Sequence, residues 1–170
     1  MIQTVLIDPP FNERGGGKIK RGADRHYPLL STPKIIQVIY SCEYWQDLAD
    51  NCHLYMWVTN NFMKDGLFII DSLGFQYKTN FVWVKDSFGL GQYFRGQHEI
   101  CLFATKGTQP TKPKTDDKSI SSVIFAKKDR HSQKPQESYD LIEKRSHGDY
   151  LEIFARSKRP NWVSWGNEII

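Results

Sequence analysis

Residues 4–11 have the sequence TVLIDPPF, and this stretch decides the fold. Its first four residues are apolar or β-branched, which is typical of a strand that is covered on both faces of a parallel sheet. The strand must end at Asp8, because Pro9 and Pro10 lack the N–H group that a sheet requires and their φ angles are fixed at about −65°. The stretch therefore predicts a buried first strand that stops at an acidic residue.

Asp8 and the carbonyl group of Pro9 form a pair of hydrogen-bond acceptors at the end of this strand. A planar amino group carries two donors, so two stiffly held acceptors match it. The ring of Phe11 could then lie against the ring that carries the amine. Such a clamp would aim the nitrogen lone pair at an electrophile and would act through positioning and preorganised electrostatics. The same residues also fit an ordinary turn that ends a strand, and both interpretations stay open at this point.

The rest of the chain alternates strand-like and helix-like segments. Strands are predicted at 3–7, 53–59, 77–85, 98–107, 149–155 and 162–166, with a short one within 122–128, and helices at 31–50, 60–75 and 134–146. This alternation predicts an α/β sheet with helices on both faces. Ligands of such sheets bind outside the carboxyl ends of the strands, where the strand order reverses. We expect Asp8 to Phe11 and Phe154 to Arg156 to lie at that edge.

Length and composition place the chain among soluble proteins of one domain. A chain of 170 residues predicts a single domain, residues 1–170, with one core. No apolar run approaches the roughly 18 residues of a membrane span, and the N-terminus lacks a charged region followed by an apolar one, so we expect a soluble, cytoplasmic protein. The three cysteines are widely spaced and lack metal-site spacing, so we expect buried core residues and no bound metal.

The net charge of +4 is concentrated in two loops, at about 12–27 and 107–131, which we expect to be mobile. The cations of the first loop are Arg14, Lys18, Lys20, Arg21 and Arg25. The second loop continues into a basic stretch at 127–134. Loops of this charge suit the phosphates of a nucleic acid, although solvated loops can have the same composition. The glycines at 15–17 do not indicate a P-loop, because the GxxxxGK pattern followed by Ser or Thr is absent.

Six motifs occur in an order that one enzyme family shows. They are LIDPPF (6–11), YMWVTN (55–60), FVWVKD (81–86), GQHEICLFATKG (96–107), RHSQKP (130–135) and LEIFARSKRPNWVSWGNE (151–168). In these motifs the chain resembles the MT-A family of adenine N6-methyltransferases. Its best-known member is the catalytic subunit of the eukaryotic mRNA adenosine methyltransferase, and small bacterial and phage relatives are thought to act on DNA. The resemblance extends from residue 4 to residue 168.

The resemblance implies a fold and a catalytic motif. The fold would be a Rossmann-like class I methyltransferase sheet whose motifs run in permuted order, with the catalytic strand first and the cofactor strand last. Asp8, Pro9, Pro10 and Phe11 would be the catalytic motif, in which Asp8 and the Pro9 carbonyl accept from the adenine amine and Phe11 stacks on the base. Phe11 replaces the usual Trp, which reduces the stacking area.

The resemblance also implies S-adenosylmethionine as the cofactor. Asp8 would face its ammonium group, Lys134 its carboxylate or the reacting face, and Arg156, Asn167 and Glu168 its ribose and tail. Glu168 stands where the eukaryotic enzyme has Gln, and a carboxylate suits ribose hydroxyls equally well. His26 and Tyr27 match a family stretch near the base, which gives them a minor role in binding. The resemblance leaves the adenine pocket of the cofactor undetermined.

We therefore expect an enzyme that transfers a methyl group to the N6 amine of a flipped or single-stranded adenine in nucleic acid. DNA is favoured over RNA, because the sequence carries no additional RNA-binding module. A catalytically silent nucleic-acid-binding subunit is the alternative from another class, and amine methylation of a free nucleotide or a protein side chain is a third. The amino-acid sequence does not determine the target sequence in the nucleic acid or the oligomeric state, which could be a homodimer or a heterodimer. It also leaves open whether Asp8 acts as a general base.

Overall fold

The computed structural model describes residues 1–13, 29–108, 112–129 and 133–167. Within these residues, seven strands form one sheet in the order β5-β3-β4-β2-β1-β6-β7. The strands are β1 (Ile2–Ile7), β2 (Leu48–Val58), β3 (Gln76–Val84), β4 (His98–Lys106), β5 (Val123–Phe125), β6 (Tyr150–Ile153) and β7 (Trp162–Trp165). The helices are α1 (Thr32–Tyr40), α2 (Met63–Ser72) and α3 (Gln136–Arg145).

The position of β1 follows from its sequence, since nearly every residue of it is buried. It lies between β2 and β6 and is parallel to both. Strand β7 is parallel to β6, and β4 is antiparallel to its neighbours β2 and β3. Among the described strands, only β4 runs against the others, so the carboxyl ends of the other six share one edge of the sheet. Strand order reverses at β1, where β2 lies on one side and β6 on the other.

Helices cover both faces of this sheet. Val5 and Ile7 of β1 pack in a core cluster with Ile35 and Ile39 of α1 and with residues of α2. Leu6 points to the opposite face, into a second cluster that contains Ile142 of α3. The alternation of side chains along a strand thus assigns one cluster to each face. The predicted α/β fold is confirmed, whereas the permuted motif order stays a prediction.

The helix predicted over 31–50 is wrong in its second half. Helix α1 ends at Tyr40, a short 3₁₀ turn covers Glu43–Asp47, and β2 already begins at Leu48. Leu48 has helical spacing in the sequence, but its backbone pairs with Ile2 of β1. Cys42, Cys52 and Cys101 are free and buried, as predicted. No helix of the described residues is long and apolar enough to span a membrane.

The second predicted loop, 107–131, starts at a different edge of the sheet from the one expected, and its mobility stays a prediction. Strand β4 is antiparallel to β2, so the loop starts at the edge opposite Asp8, where Lys106 faces Cys52. Arg145, at the end of α3, donates to the carbonyls of Thr115 and Asp117 at 3.2 and 3.1 Å. The described residues 112–119 are therefore fixed to α3 far from the carboxyl edge. Only the part after β5 returns to that edge.

Candidate active site

The ends of β1 and β6 bring two predicted segments together at the carboxyl edge of the sheet. Ile7 pairs with Ile153, and the chain continues into Asp8 on one strand and into Phe154 and Arg156 on the other. The amide of Asp8 faces the carbonyl of Ile153 at 3.5 Å. The prediction that Asp8 to Phe11 and Phe154 to Arg156 meet at this edge is confirmed.

The two prolines hold a tight and buried turn after Asp8. The Phe11 amide donates to the Pro9 carbonyl at 2.9 Å, and the Leu30 amide donates to the Pro10 carbonyl at 2.9 Å. A carbonyl oxygen has two lone pairs, so the Pro9 oxygen keeps one for a further donor. Leu30 also forms a parallel bridge with Phe11, which closes the chain back onto the turn. The chain therefore leaves this turn after Phe11 and returns to it at Leu30.

Phe11 was expected to stack on the target base, but its ring lies in the core of the protein. Its side chain is only 5% exposed and belongs to the main core cluster. Its ring stacks on Phe62 with centroids 5.0 Å apart and an interplanar angle of 19°. One face of the Phe11 ring is thus occupied by Phe62, and the ring supports the turn from inside. Its predicted contact with a base would require it to offer its other face or edge.

Lys134 lies between two carboxylates at the sheet edge. Its Nζ is 2.6 Å from Oε2 of Glu99 and 3.7 Å from Oδ2 of Asp8. Lys85 donates to the other oxygen of Glu99 at 2.8 Å. The Lys134 ammonium also lies 4.9 Å from the centroid of the Trp57 ring, close enough for a cation–π interaction. These contacts form a partly buried chain of alternating charges that ends at Asp8.

The electrostatics of this chain differ between the two carboxylates. Burial raises the pKa of Asp8 above its ordinary value, and the cations Lys134 and Arg156 oppose that shift only in part. Burial alone would also raise the pKa of Glu99. The charges of Lys134 and Lys85 outweigh this effect and lower the pKa of Glu99 to about 2. Burial alone would lower the pKa of Lys134, whereas Asp8 and Glu99 raise it. Glu99 is therefore a fixed anion, and Asp8 is the carboxylate that is better able to accept a proton.

A cavity of about 260 Å³ opens beside the turn. Its walls combine apolar side chains with a few polar groups, as in many ligand sites. The lining residues are Pro10, Leu30, Lys34, Val38, Phe154, Ala155, Arg156, Trp165, Gly166 and Asn167. Two of the predicted cofactor residues, Arg156 and Asn167, therefore line one cavity, while Lys134 and Asp8 lie on the adjacent ion-pair chain.

The backbone around this cavity is specialised. Phe154 has a φ of +63°, which is uncommon for a residue with a side chain and is frequent at functional sites. The Ala155 amide donates to the Trp165 carbonyl at 3.0 Å, so the ends of β6 and β7 lie close together. A Cβ atom at Gly166 would lie 2.4 Å from the Ala155 oxygen, and only glycine fits there. These features keep the ends of β6 and β7 close together where they line the cavity.

Several predicted residues lie outside the described part of the chain. They are Arg14, Lys18, Lys20, Arg21, Arg25, His26 and Tyr27 of the first basic loop, and Glu168. Their roles stay predictions. Among the described residues, no group of three or more His, Cys, Asp or Glu side chains could hold a metal ion.

Sequence reasoning missed Glu99 and Lys85. Glu99 is charged in an otherwise apolar segment, HEICLFA, and Lys85 follows the apolar segment FVWV. A charge next to a buried strand is a signal that can be read from sequence. Its partner cannot be read in the same way, because the antiparallel pairing of β3 with β4 brings Glu99 and Lys85 together.

Strand β1 of this α/β sheet ends in an acceptor turn beside a cavity large enough for part of a nucleoside, and this arrangement fits a methyltransferase of the Rossmann-like class. The MT-A70 family profile matches residues 2–168. The "Type II methyltransferase M.MunI" of Mycoplasma sp is 36% identical over 98% of this chain and 77% of its own length. The human "N(6)-adenine-specific methyltransferase METTL4" is 29% identical over 99% of this chain and 38% of its own length.

The human "N(6)-adenosine-methyltransferase catalytic subunit METTL3" is also 29% identical, over 72% of this chain and 22% of its own length. This chain thus spans most of the Mycoplasma protein and well under half of the two human ones. The chain belongs to the MT-A70 family. The family and the methyltransferase class that the sequence predicted are confirmed.

Proposed function

We propose that this protein methylates the exocyclic N6 amine of adenine in nucleic acid, with S-adenosylmethionine as the methyl donor. The observation that carries the proposal is the position of Asp8. It follows β1, an interior strand at which the strand order reverses, and lies at the end of a chain of ion pairs and beside a ligand-sized cavity. The names of the family relatives support adenine as the methylated base.

The residues around the cavity fit S-adenosylmethionine, which supplies an electrophilic methyl group when it is bound. The apolar side chains of Val38, Leu30 and Trp165 suit a flat ring, and the amide of Asn167 suits ribose hydroxyls. A zwitterionic amino acid tail needs one anion and one cation, and Asp8 and Lys134 provide both next to the cavity. We therefore assign the nucleoside half to the cavity and the charged tail to the ion-pair chain.

Asp8 and the free lone pair of the Pro9 carbonyl would accept from the two N–H groups of the adenine amine. This geometry removes the amine from conjugation with the ring and orients its lone pair. The methylated amine must lose one proton, and Asp8 has the raised pKa that suits a proton acceptor. Lys134 and Glu99 would hold the Asp8 carboxylate in place during this transfer.

DNA is the polymer that we favour over RNA. The chain is 36% identical to the type II methyltransferase and covers 77% of that protein. It is 29% identical to the relative named for adenosine and covers only 22% of it. A catalytically silent subunit is less consistent with this site, because the DPP motif is kept and Asp8 retains a charged partner.

The direct test is methyl transfer by the purified chain. We expect labelled methyl from S-adenosylmethionine to enter a DNA oligonucleotide and mass spectrometry to locate it on N6 of adenine. A matched RNA oligonucleotide measures the polymer preference. A matched DNA in which purine replaces every adenine lacks the amine and is the control that should stay unlabelled. Label in the control DNA, or none in any adenine-containing polymer, would contradict the proposal.

A further inference from the structure

The connection between β3 and β4, residues 86–97 and here called the aromatic loop, exposes a group of large apolar side chains. The exposed fractions are 68% for Phe88, 64% for Leu90, 91% for Tyr93 and 90% for Phe94. Single exposed apolar residues are ordinary on a protein surface, whereas a contiguous group marks a contact surface. Four such side chains within twelve residues indicate a binding surface for another molecule.

Backbone contacts hold this loop in a defined shape. The Gly89 amide donates to the Gly96 carbonyl at 2.7 Å, and the Lys85 amide donates to the Gln97 carbonyl at 2.8 Å. A Cβ atom at Gly91 would overlap the Phe94 carbonyl oxygen, at 1.8 Å, so the turn requires glycine there. The close turn therefore presents Tyr93 and Phe94 outward.

The loop begins at the active site. It leaves β3 at the carboxyl edge, and Lys85 at its base donates to Glu99, which in turn binds Lys134 beside Asp8. The same ion-pair chain therefore links the base of the loop to the proposed amine acceptor. A bound strand that enters the site at this edge would lie on the side from which the loop leaves the sheet.

Three exposed cations lie in the aromatic loop or beside it, together with the exposed anions Asp86 and Asp129. Arg95 is exposed within the loop itself. The Lys128 amide donates to Oδ1 of Asp86 at 3.2 Å, which places exposed Lys127 and Lys128 beside the loop. Aromatic rings next to cations form the usual surface for single-stranded nucleic acid, in which bases stack and phosphates pair with the charges.

We propose that the aromatic loop binds the substrate strand by stacking bases next to the target adenine on Tyr93, Phe94 and Phe88. This inference rests on the proposed function and names the surface that holds the strand. Extrusion of the target adenine leaves its neighbours with unstacked faces, and exposed rings at the mouth of the site replace the lost stacking. Stacking tolerates any base, so the loop contributes affinity and little sequence preference.

The test uses the variant Tyr93→Ser/Phe94→Ser in the full chain. Its matched control is Phe68→Ser, which removes a ring that is 59% exposed on α2, outside the loop. Fluorescence of 2-aminopurine placed beside the target adenine in a DNA oligonucleotide reports stacking on binding. We expect quenching with the parent and the control, loss of quenching with the loop variant, and a rise in Kd and KM of about 10- to 100-fold.

Unchanged quenching and an unchanged Kd in the loop variant would overturn the inference. If the rings bind a second copy of this chain instead, sedimentation will show that the loop variant changes the oligomeric state while DNA affinity stays the same, which also overturns it. The titration requires no methyl transfer. A parent that binds and quenches without methylating contradicts the proposed function alone, whereas a parent that methylates while the loop variant binds unchanged contradicts the inference alone.

Discussion

Lys134 is the residue on which the charge balance of the site depends. It neutralises Asp8 and shares Glu99 with Lys85, and its own side chain is 11% exposed. Lys134→Met breaks the short ion pair with Glu99 and leaves Asp8 without its nearest cation, and breaking a buried ion pair from one side costs several kcal/mol. We expect a loss of about 2–3 kcal/mol in the free energy of unfolding, measured in urea, and the loss of methyl transfer.

The variant Lys134→Met/Glu99→Gln is the matched control. It removes the opposite charge together with the cation, so part of the lost stability should return while methyl transfer stays absent. The coupling between the two substitutions, from a double-mutant cycle, measures the ion pair itself. Additive effects on stability would contradict the ion-pair account.

Glu152 predicts a pH dependence of stability. It is 8% exposed, and Tyr139 donates to its Oε1 at 2.7 Å. Burial raises its pKa from 4.5 to about 7, although the Tyr139 hydroxyl and Arg159 oppose the shift. Between these values the folded chain binds a proton that the unfolded chain has released. Glu152 therefore makes the protein less stable as the pH rises from about 4.5 to about 7.

Glu152→Gln cannot ionise and keeps an acceptor for Tyr139. Relative to the parent, it should gain up to about 3 kcal/mol in the free energy of unfolding between pH 4.5 and pH 8. Urea unfolding of both proteins across this range measures the difference, and Asp71→Asn, at an exposed position on α2, is the control. A difference that does not change with pH would mean that the pKa of Glu152 is the same in the folded and the unfolded chain.

The sequence predicts the residues of the site better than their contacts. Asp8, Pro9 and Pro10 lie where the end of an apolar strand predicts, because prolines cannot continue β1. The packing of Phe11 on Phe62 could not be predicted, since Phe62 lies in a distant segment whose approach depends on the whole fold. Glu99 was missed for the same reason, because its partners Lys85 and Lys134 come from the residue after β3 and from the residues before α3.

At the scale of elements, the contact of α2 with β2 depends on Gly66. A Cβ atom at this position would lie 2.3 Å from Cγ1 of Val58. Alanine favours an isolated helix over glycine by about 1 kcal/mol. Gly66→Ala should nevertheless lower the free energy of unfolding by about 1–3 kcal/mol, because the helix must move away from the sheet.

Gly66→Ala/Val58→Ala tests the cause of that loss, and urea unfolding measures both variants. The second substitution removes the methyl group that the new Cβ atom would meet, so the double variant should be more stable than Val58→Ala alone. A Gly66→Ala protein as stable as the parent would show that α2 packs less closely than the structure has it.

Periodicity predicted most elements to within a few residues. It failed where a contact with a distant segment determines whether residues form a helix, a strand or a loop. The apolar spacing of 31–50 continues past Tyr40, but pairing with β1 takes Leu48 into a strand. The segment 112–119 has no apolar periodicity and therefore resembles a mobile flap. Hydrogen bonds from Arg145 fix it at the edge opposite the site, and these depend on the direction of β4.

At the scale of the whole molecule, the basic loop at 12–27 predicts how nucleic acid binding depends on salt. Each phosphate contact releases counterions, so the logarithm of the binding constant falls with the logarithm of the salt concentration by about 0.9 per contact on duplex DNA. Lys18→Ser/Lys20→Ser/Arg21→Ser should reduce this slope by about one to three units and weaken binding equally for different sequences. An unchanged slope would show that these cations do not contact phosphates.

The central claim is that Asp8 holds the amine that accepts the methyl group, and single-turnover methyl transfer by Asp8→Ala tests it most directly. The variant keeps the buried prolines that fix the turn, so its fold should survive, as its urea unfolding and circular dichroism will show. We predict that methyl transfer to an adenine-containing DNA oligonucleotide falls by about 1000-fold or more, because the clamp acts through positioning and electrostatics. Methyl transfer at the parent rate in the folded variant would contradict the account.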